Sequence, residues 1–171
     1  MKPAIVLIFS LLMAGGLAAE CEKLERSPES RRIWSEFAAR YAPTVYPAEV
    51  RLCIGKKYFY EVKGGARMAS VLDRQRARIL LRQRNASQLR HELAHLYLDL
   101  AWRVLPYTIS EPLANVMQAP PKCNTVLSKK PAASIPERWQ ARGGASACEI
   151  ESLVSDLLKA PKEMRDSLPL N

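Results

Sequence analysis

A chain of 171 residues, 48% hydrophobic and 25% charged, can bury one substantial core, which excludes a disordered polymer and points to a single domain. The formal net charge of +9 favours acidic partners: anionic envelope polymers, acidic protein segments or lipid headgroups. Histidine is nearly absent, with two in the whole chain, so any chemistry that needs imidazole has one place to occur.

The chain opens with Lys2, an apolar run from Ala4 to Ala14, and the small residues Gly15-Gly16-Leu17-Ala18-Ala19. This is the layout of a signal peptide, residues 1–19, and its apolar run is too short for a comfortable membrane span. Glu20 stands where a lipobox needs a small residue, so Cys21 is not read as a lipidation site. The expectation is a periplasmic or secreted mature domain, residues 20–171, with no stable membrane span after cleavage. Its charge is +8, because Lys2 is the one charged residue lost. Export, rather than charge, argues against a nucleic-acid partner.

Four cysteines remain: Cys21, Cys53, Cys123 and Cys148. An even count in an oxidising compartment suggests two disulfides, for which three connectivities exist. Cys21–Cys53 with Cys123–Cys148 is preferred, since each pair flanks the central segment on one side. No two cysteines are close enough for a C-x-x-C zinc knuckle.

Arg26 to Tyr41 reads as a helix, with Ser27 as cap, Pro28 in the first turn, and Ile33, Trp34, Phe37 and Tyr41 at helical spacing. Glu49–Ile54 alternates like a strand, and Lys57–Val62 is a second strand candidate. From Asp73 to Arg84 the arginines at 74, 76, 78, 82 and 84 fall on even positions while Ala77, Ile79 and Leu81 fall on odd ones. Period two predicts one strand with an apolar face inward and an arginine face outward, either a charged edge or a cationic rim beside a groove.

Asn85 to Val104 is the strongest helix, with Asn85 and Gln88 placed for a capping box. Leu89, Leu93, Leu96, Leu100 and Val104 form one stripe. His91 and His95 lie about half a turn away with Ala94, Leu98 and Trp102, and Glu92, Asp99 and Arg103 form a polar strip between. A helix apolar on two opposed faces must be sandwiched. Pro106 ends it, Ser110 is placed to cap the next helix with Pro112 in its first turn, and residues 120–145 look loop-like. Ala147–Leu158 is a last amphipathic helix.

The pentad His91-Glu92-Leu93-Ala94-His95 carries the chemistry. Two histidines four apart on a helix project from the same side, so both imidazoles can reach one ion at about 2 Å. Glu92 between them can take a proton from a metal-activated water and return it to a leaving amine. A third histidine six residues on would fall at position 101, which is Ala101, so a completed site needs a carboxylate. Asp99 lies two turns above His91 on the same helix, too far along the axis. Glu111, beyond the Pro106 turn, can fold back and is the expected third ligand, the plainer alternative being a helix-start carboxylate.

The segment RILLRQRNASQLRHELAHLYLDLAWRVLPYTISEPLAN resembles the glutamate-ligand branch of zincin metallopeptidases, in particular small bacterial proteins of the peptidase MA-like type. The resemblance covers about forty residues, strongest in the pentad and weaker in SEPLA, where Pro112 stands in place of the family's glycine. It implies an α+β domain, helix-rich, with a small mixed sheet packed on the HExxH helix. It also implies Zn2+ held by His91, His95 and Glu111, with Glu92 as general base. Asn115 resembles a position that orients a ligand histidine, and Tyr107 is the candidate transition-state donor. The function expected is hydrolysis of peptide bonds in a peptide or protein substrate, acidic or cell-wall-derived, lying along an edge strand. The alternative is a non-catalytic zincin-like domain in which zinc is structural and the basic face binds an anionic cell-envelope partner. A third reading is a disulfide-stapled binding module without metal.

Overall fold

The computed structural model of the chain describes residues 21–63, 65–119 and 134–170. The expected signal peptide and Cys123 lie outside them. The architecture is α+β: a small mixed sheet covered by helices.

Chain order runs β1 (Glu22–Lys23), α1 (Pro28–Arg40), β2 (Arg51–Ile54), β3 (Ser70–Asp73), β4 (Arg78–Leu81), α2 (Ala86–Ala101), α3 (Tyr107–Gln118), α4 (Ile135–Gln140), α5 (Ala147–Lys159) and α6 (Lys162–Ser167). The sheet order is β1-β2-β4-β3, with β2 and β4 parallel and the two outer strands antiparallel to their neighbours. β3 is therefore an edge, and β4 is internal. Cys21 and Cys53 form a disulfide across the other edge. Cys148, at the start of α5, is disulfide-bonded as well.

The Asp73–Arg84 segment is not one strand. β3 ends at Asp73, Arg74–Arg76 make a 3-10 turn, and Ala77 takes a left-handed conformation at φ 47° to start β4. The physical reason is partnership. Ile79 and Leu81 enter the main core and Leu80 a smaller one with Cys53 and Phe59, so β4 is buried on both faces. Its arginines are spent on the fold rather than aligned as a rim. Arg74 grips Asp99 through Nε and Nη2 at 2.6 and 3.2 Å, and Arg78 bridges Asp73 and Glu61 at 2.9 Å each. Arg82 donates to the carbonyls of Met68 and Gly65.

Lys57–Val62 is likewise not a strand: Lys56–Glu61 form a 3-10 helix and Val62 is its C-cap. Gly55, at φ 139°, turns the chain out of the sheet in a conformation that L side chains rarely adopt. Phe59 then anchors the segment in the smaller core while Tyr60 is left exposed.

α1 and α2 start where their caps predict: Ser27 Oγ accepts from Ser30 N–H, and Asn85 Oδ1 from Gln88 N–H. α2 packs on α1, α3, β3 and β4, and Leu89, Leu93 and Tyr97 are wholly buried. The sandwich stops short of the expected end, for the helix closes at Ala101 and both Leu100 and Val104 are exposed. Glu92 does not join a polar strip at the surface; it is buried.

α3 begins three residues before Ser110, which lies inside it, and Pro112 sits in the second turn. Pro106 supplies the entry: its carbonyl accepts from both Ile109 and Ser110 N–H at 2.9 Å. Of the stretch expected as loop, 120–133 lie outside the described residues, whereas Ile135–Gln140 and Ala141–Gly144 are helical, because Ser134 and Glu137 form a complete capping box ahead of α4. Trp139 there is fully buried against Trp102. Its indole Nε1 donates to the Pro169 carbonyl at 2.7 Å, tying the C-terminus down.

Candidate metal centre

Two helices and one strand build the site. α2 carries His91 and His95 one turn apart, their ring centroids 4.8 Å from each other. The short Trp102–Pro106 connection turns the chain back, so α3 runs against α2 with Glu111 opposite His95 and Gln118 opposite His91. β3 closes the third side.

Three electron-pair donors converge. His95 Nε2 lies 3.2 Å from His91 Nε2 and 3.2 Å from Glu111 Oε2, and His91 Nε2 lies 3.5 Å from the same carboxylate oxygen. A tetrahedral ion with ligand bonds of about 2.0–2.1 Å has ligand-to-ligand edges of roughly 3.3–3.4 Å. The triangle is thus the size of one tetrahedral face. Burial, then the neighbouring His91, pushes His95 down to about 4. A neutral ring near pH 7 keeps a lone pair for a cation. The described residues give this trio, His91, His95 and Glu111, as a group able to hold a metal ion.

Glu92 lies on the same helix and points toward the sheet. Its carboxylate accepts from Ser70 Oγ at 2.7 Å, which ties it to the edge strand. Burial raises its pKa, and the Ser70 hydrogen bond opposes that rise. The carboxyl is therefore held in place yet more basic than an exposed glutamate.

These groups line a cleft of about 340 Å³. One wall is the Met68–Leu72 stretch ending in the edge strand, the floor is His91, Glu92 and His95, and Leu105, Tyr107 and Glu111 form the opposite side. Arg74 also lines it, held by Asp99. Tyr107 lines the cleft and is 73% exposed.

The hydrogen-bond partner of His91 Nδ1 is a residue that local reading missed. Asn115 is exposed, and Gln118 instead places its Oε1 3.2 Å from His91 Nδ1. Both lie within about 40° of Glu111 around α3, so helical spacing alone does not choose between them. Gln118 is near two whole turns beyond Glu111, and that carries it level with His91. Ser70 was missed as well, because no local pattern says which strand will lie over Glu92.

No helix among the described residues is long and apolar enough to cross a membrane. Compared with known proteins, the chain matches no family model, no curated protein and no solved structure. The site must be read from its own geometry.

Proposed function

We propose that this chain is an exported zinc-dependent metallopeptidase. The observation that carries the reading is the convergence of His91, His95 and Glu111 at 3.2–3.5 Å on the floor of a cleft, with the buried carboxylate of Glu92 beside them. Two imidazoles and a carboxylate suit zinc, which in catalytic sites takes three protein ligands and keeps one position open. When bound, zinc would supply Lewis acidity and bring the pKa of a coordinated water toward neutrality.

The chain's own residues would do the rest. Glu92, made more basic by burial, takes a proton from the attacking water and returns it to the leaving amine. Ser70 keeps that carboxylate aimed. The free edge of β3 offers backbone groups to an extended peptide, and a strand added there would pass along the cleft wall. The net charge of +9 favours an acidic substrate, of protein or cell-wall origin. The Cys21–Cys53 disulfide supports an oxidising compartment, periplasmic or extracellular.

A second reading keeps the zinc and drops the reaction. Tyr107, the candidate transition-state donor, is 73% exposed, and an ion shared by α2 and α3 would also serve as a structural staple. The basic surface would then bind an anionic envelope partner.

Glu92→Gln separates the two. The peptidase reading expects wild type to cleave a fluorogenic peptide library enriched in acidic residues. It expects the variant to bind zinc as before while losing turnover by roughly 10²–10⁴-fold. Hydrolysis that persists in the variant and under exhaustive chelation rules the reading out.

A further inference from the structure

Gln118, the last residue of α3, touches two positions one turn apart on α2. Its side-chain Nε2 lies 3.1 Å from the Ser87 carbonyl oxygen and 2.6 Å from Ser87 Oγ, while its Oε1 lies 3.2 Å from His91 Nδ1. A backbone carbonyl can only accept, so the amide must turn its NH2 to Ser87 and its oxygen to His91. Turned the other way, it would set oxygen against oxygen at Ser87.

The consequence runs on to the ring. An amide oxygen also only accepts, so His91 Nδ1 must carry a proton to satisfy it. In a neutral imidazole the other nitrogen is then a bare lone pair. That nitrogen, Nε2, is the one lying 3.2 Å from His95 Nε2 and 3.5 Å from Glu111 Oε2. One carbonyl in the first turn of α2 thus decides, through one amide, which nitrogen of His91 is available.

The other ring has no such guide. His95 Nδ1 is buried and finds no hydrogen-bond partner among the described residues. The orienting hydrogen bond therefore falls on one side of the site, and it comes from a neutral group where a carboxylate would polarise the ring more.

We propose that Gln118 is a positioning residue, which holds His91 in the Nδ1–H tautomer and so aims its Nε2 lone pair at the point where His95 and Glu111 converge. The part concerning metal rests on the proposed zinc site, whereas the tautomer does not.

The test uses untagged, metal-free, 15N-labelled protein above the pH at which its rings titrate. With two histidines in the whole chain, long-range proton–nitrogen spectra resolve each ring. Wild type should show His91 as the Nδ1–H form. Gln118→Met removes the acceptor and Gln118→Asn withdraws it by one methylene; both should shift His91 toward the Nε2–H form. Zinc affinity, measured by chelator competition, should weaken by roughly 10–100-fold in the Met and Asn variants.

An unchanged His91 tautomer in the Met and Asn variants overturns the proposal, even if their melting temperature falls, since that would be a packing effect alone. A shifted tautomer with unaltered zinc affinity overturns its metal-positioning half. Wild type that fails to bind zinc at all sinks the metallopeptidase reading instead, and leaves the tautomer result to stand or fall by itself.

Discussion

Glu111 is the one converging side chain that α3 supplies, while both histidines belong to α2. An ion held by all three ties two helices together; an ion held by the histidines alone ties α2 only to itself. Glu111→Gln keeps the side chain's shape and removes its charge. For wild type at free zinc 100 times Kd, linkage adds about 2.7 kcal/mol to folding. Each kcal/mol moves Tm by roughly 2–4 °C for a domain of this size, so zinc should raise Tm by roughly 5–11 °C over the chelated protein. Loss of a charged ligand should cost at least the ~100-fold seen at the upper end for outer partners of ligating histidines. At the same free zinc the variant then gains about 0.4 kcal/mol, a shift of roughly 1–2 °C. In chelator the two proteins should melt within a few degrees of each other, because the Glu111 side chain is 28% exposed and loses no buried partner charge. Scanning calorimetry of untagged protein at buffered zinc reads all four values. A full zinc-induced shift in Glu111→Gln, or none in wild type, refutes the three-ligand geometry.

Two further outcomes are expected. Replacing both Cys21 and Cys53 by serine opens a cross-link of sequence separation 32, and urea denaturation should show a loss of about 3–4 kcal/mol on the chain-entropy account; a loss under about 1 kcal/mol would argue against that account here. Glu36 is held below the usual carboxylate range by the hydrogen bond from Arg90. Its folded pKa is the lower one, so its contribution is present above the unfolded value near 4.5 and is lost as pH falls through the folded value. Glu36→Gln should thus cost under about 1 kcal/mol at pH 7, the Glu36 side chain being 40% exposed and so screened by water, and should flatten the acid side of the stability curve. An unaltered acid slope would remove Glu36 from that role.

What local sequence settles here is what helix geometry settles. A capped helix over Asn85–Ala101 carries His91 and His95 to one side because 3.6 residues make a turn, and the Pro106 break lets a downstream acid return. The α1 and α2 caps, and the body of α5, follow from short-range hydrogen bonds and apolar spacing in the same way. Period-two spacing misled at Asp73–Arg84, since a turn followed by a strand buried on both faces can show the same alternation as one half-exposed strand. Ser110 looked like a cap because its type suits one, yet the Pro106 carbonyl starts the helix a turn earlier.

Long-range partners were decided only by the packing of distant segments. Which strand lies at the edge, that Ser70 rather than an arginine row faces Glu92, that Arg74 is claimed by Asp99, and that Gln118 rather than Asn115 reaches His91 all depend on how α2, α3 and β3 meet. A side chain's type states what it can bond. Where its partner stands is a property of contacts between residues tens of positions apart, and those are set by burying the common core rather than by any local spacing.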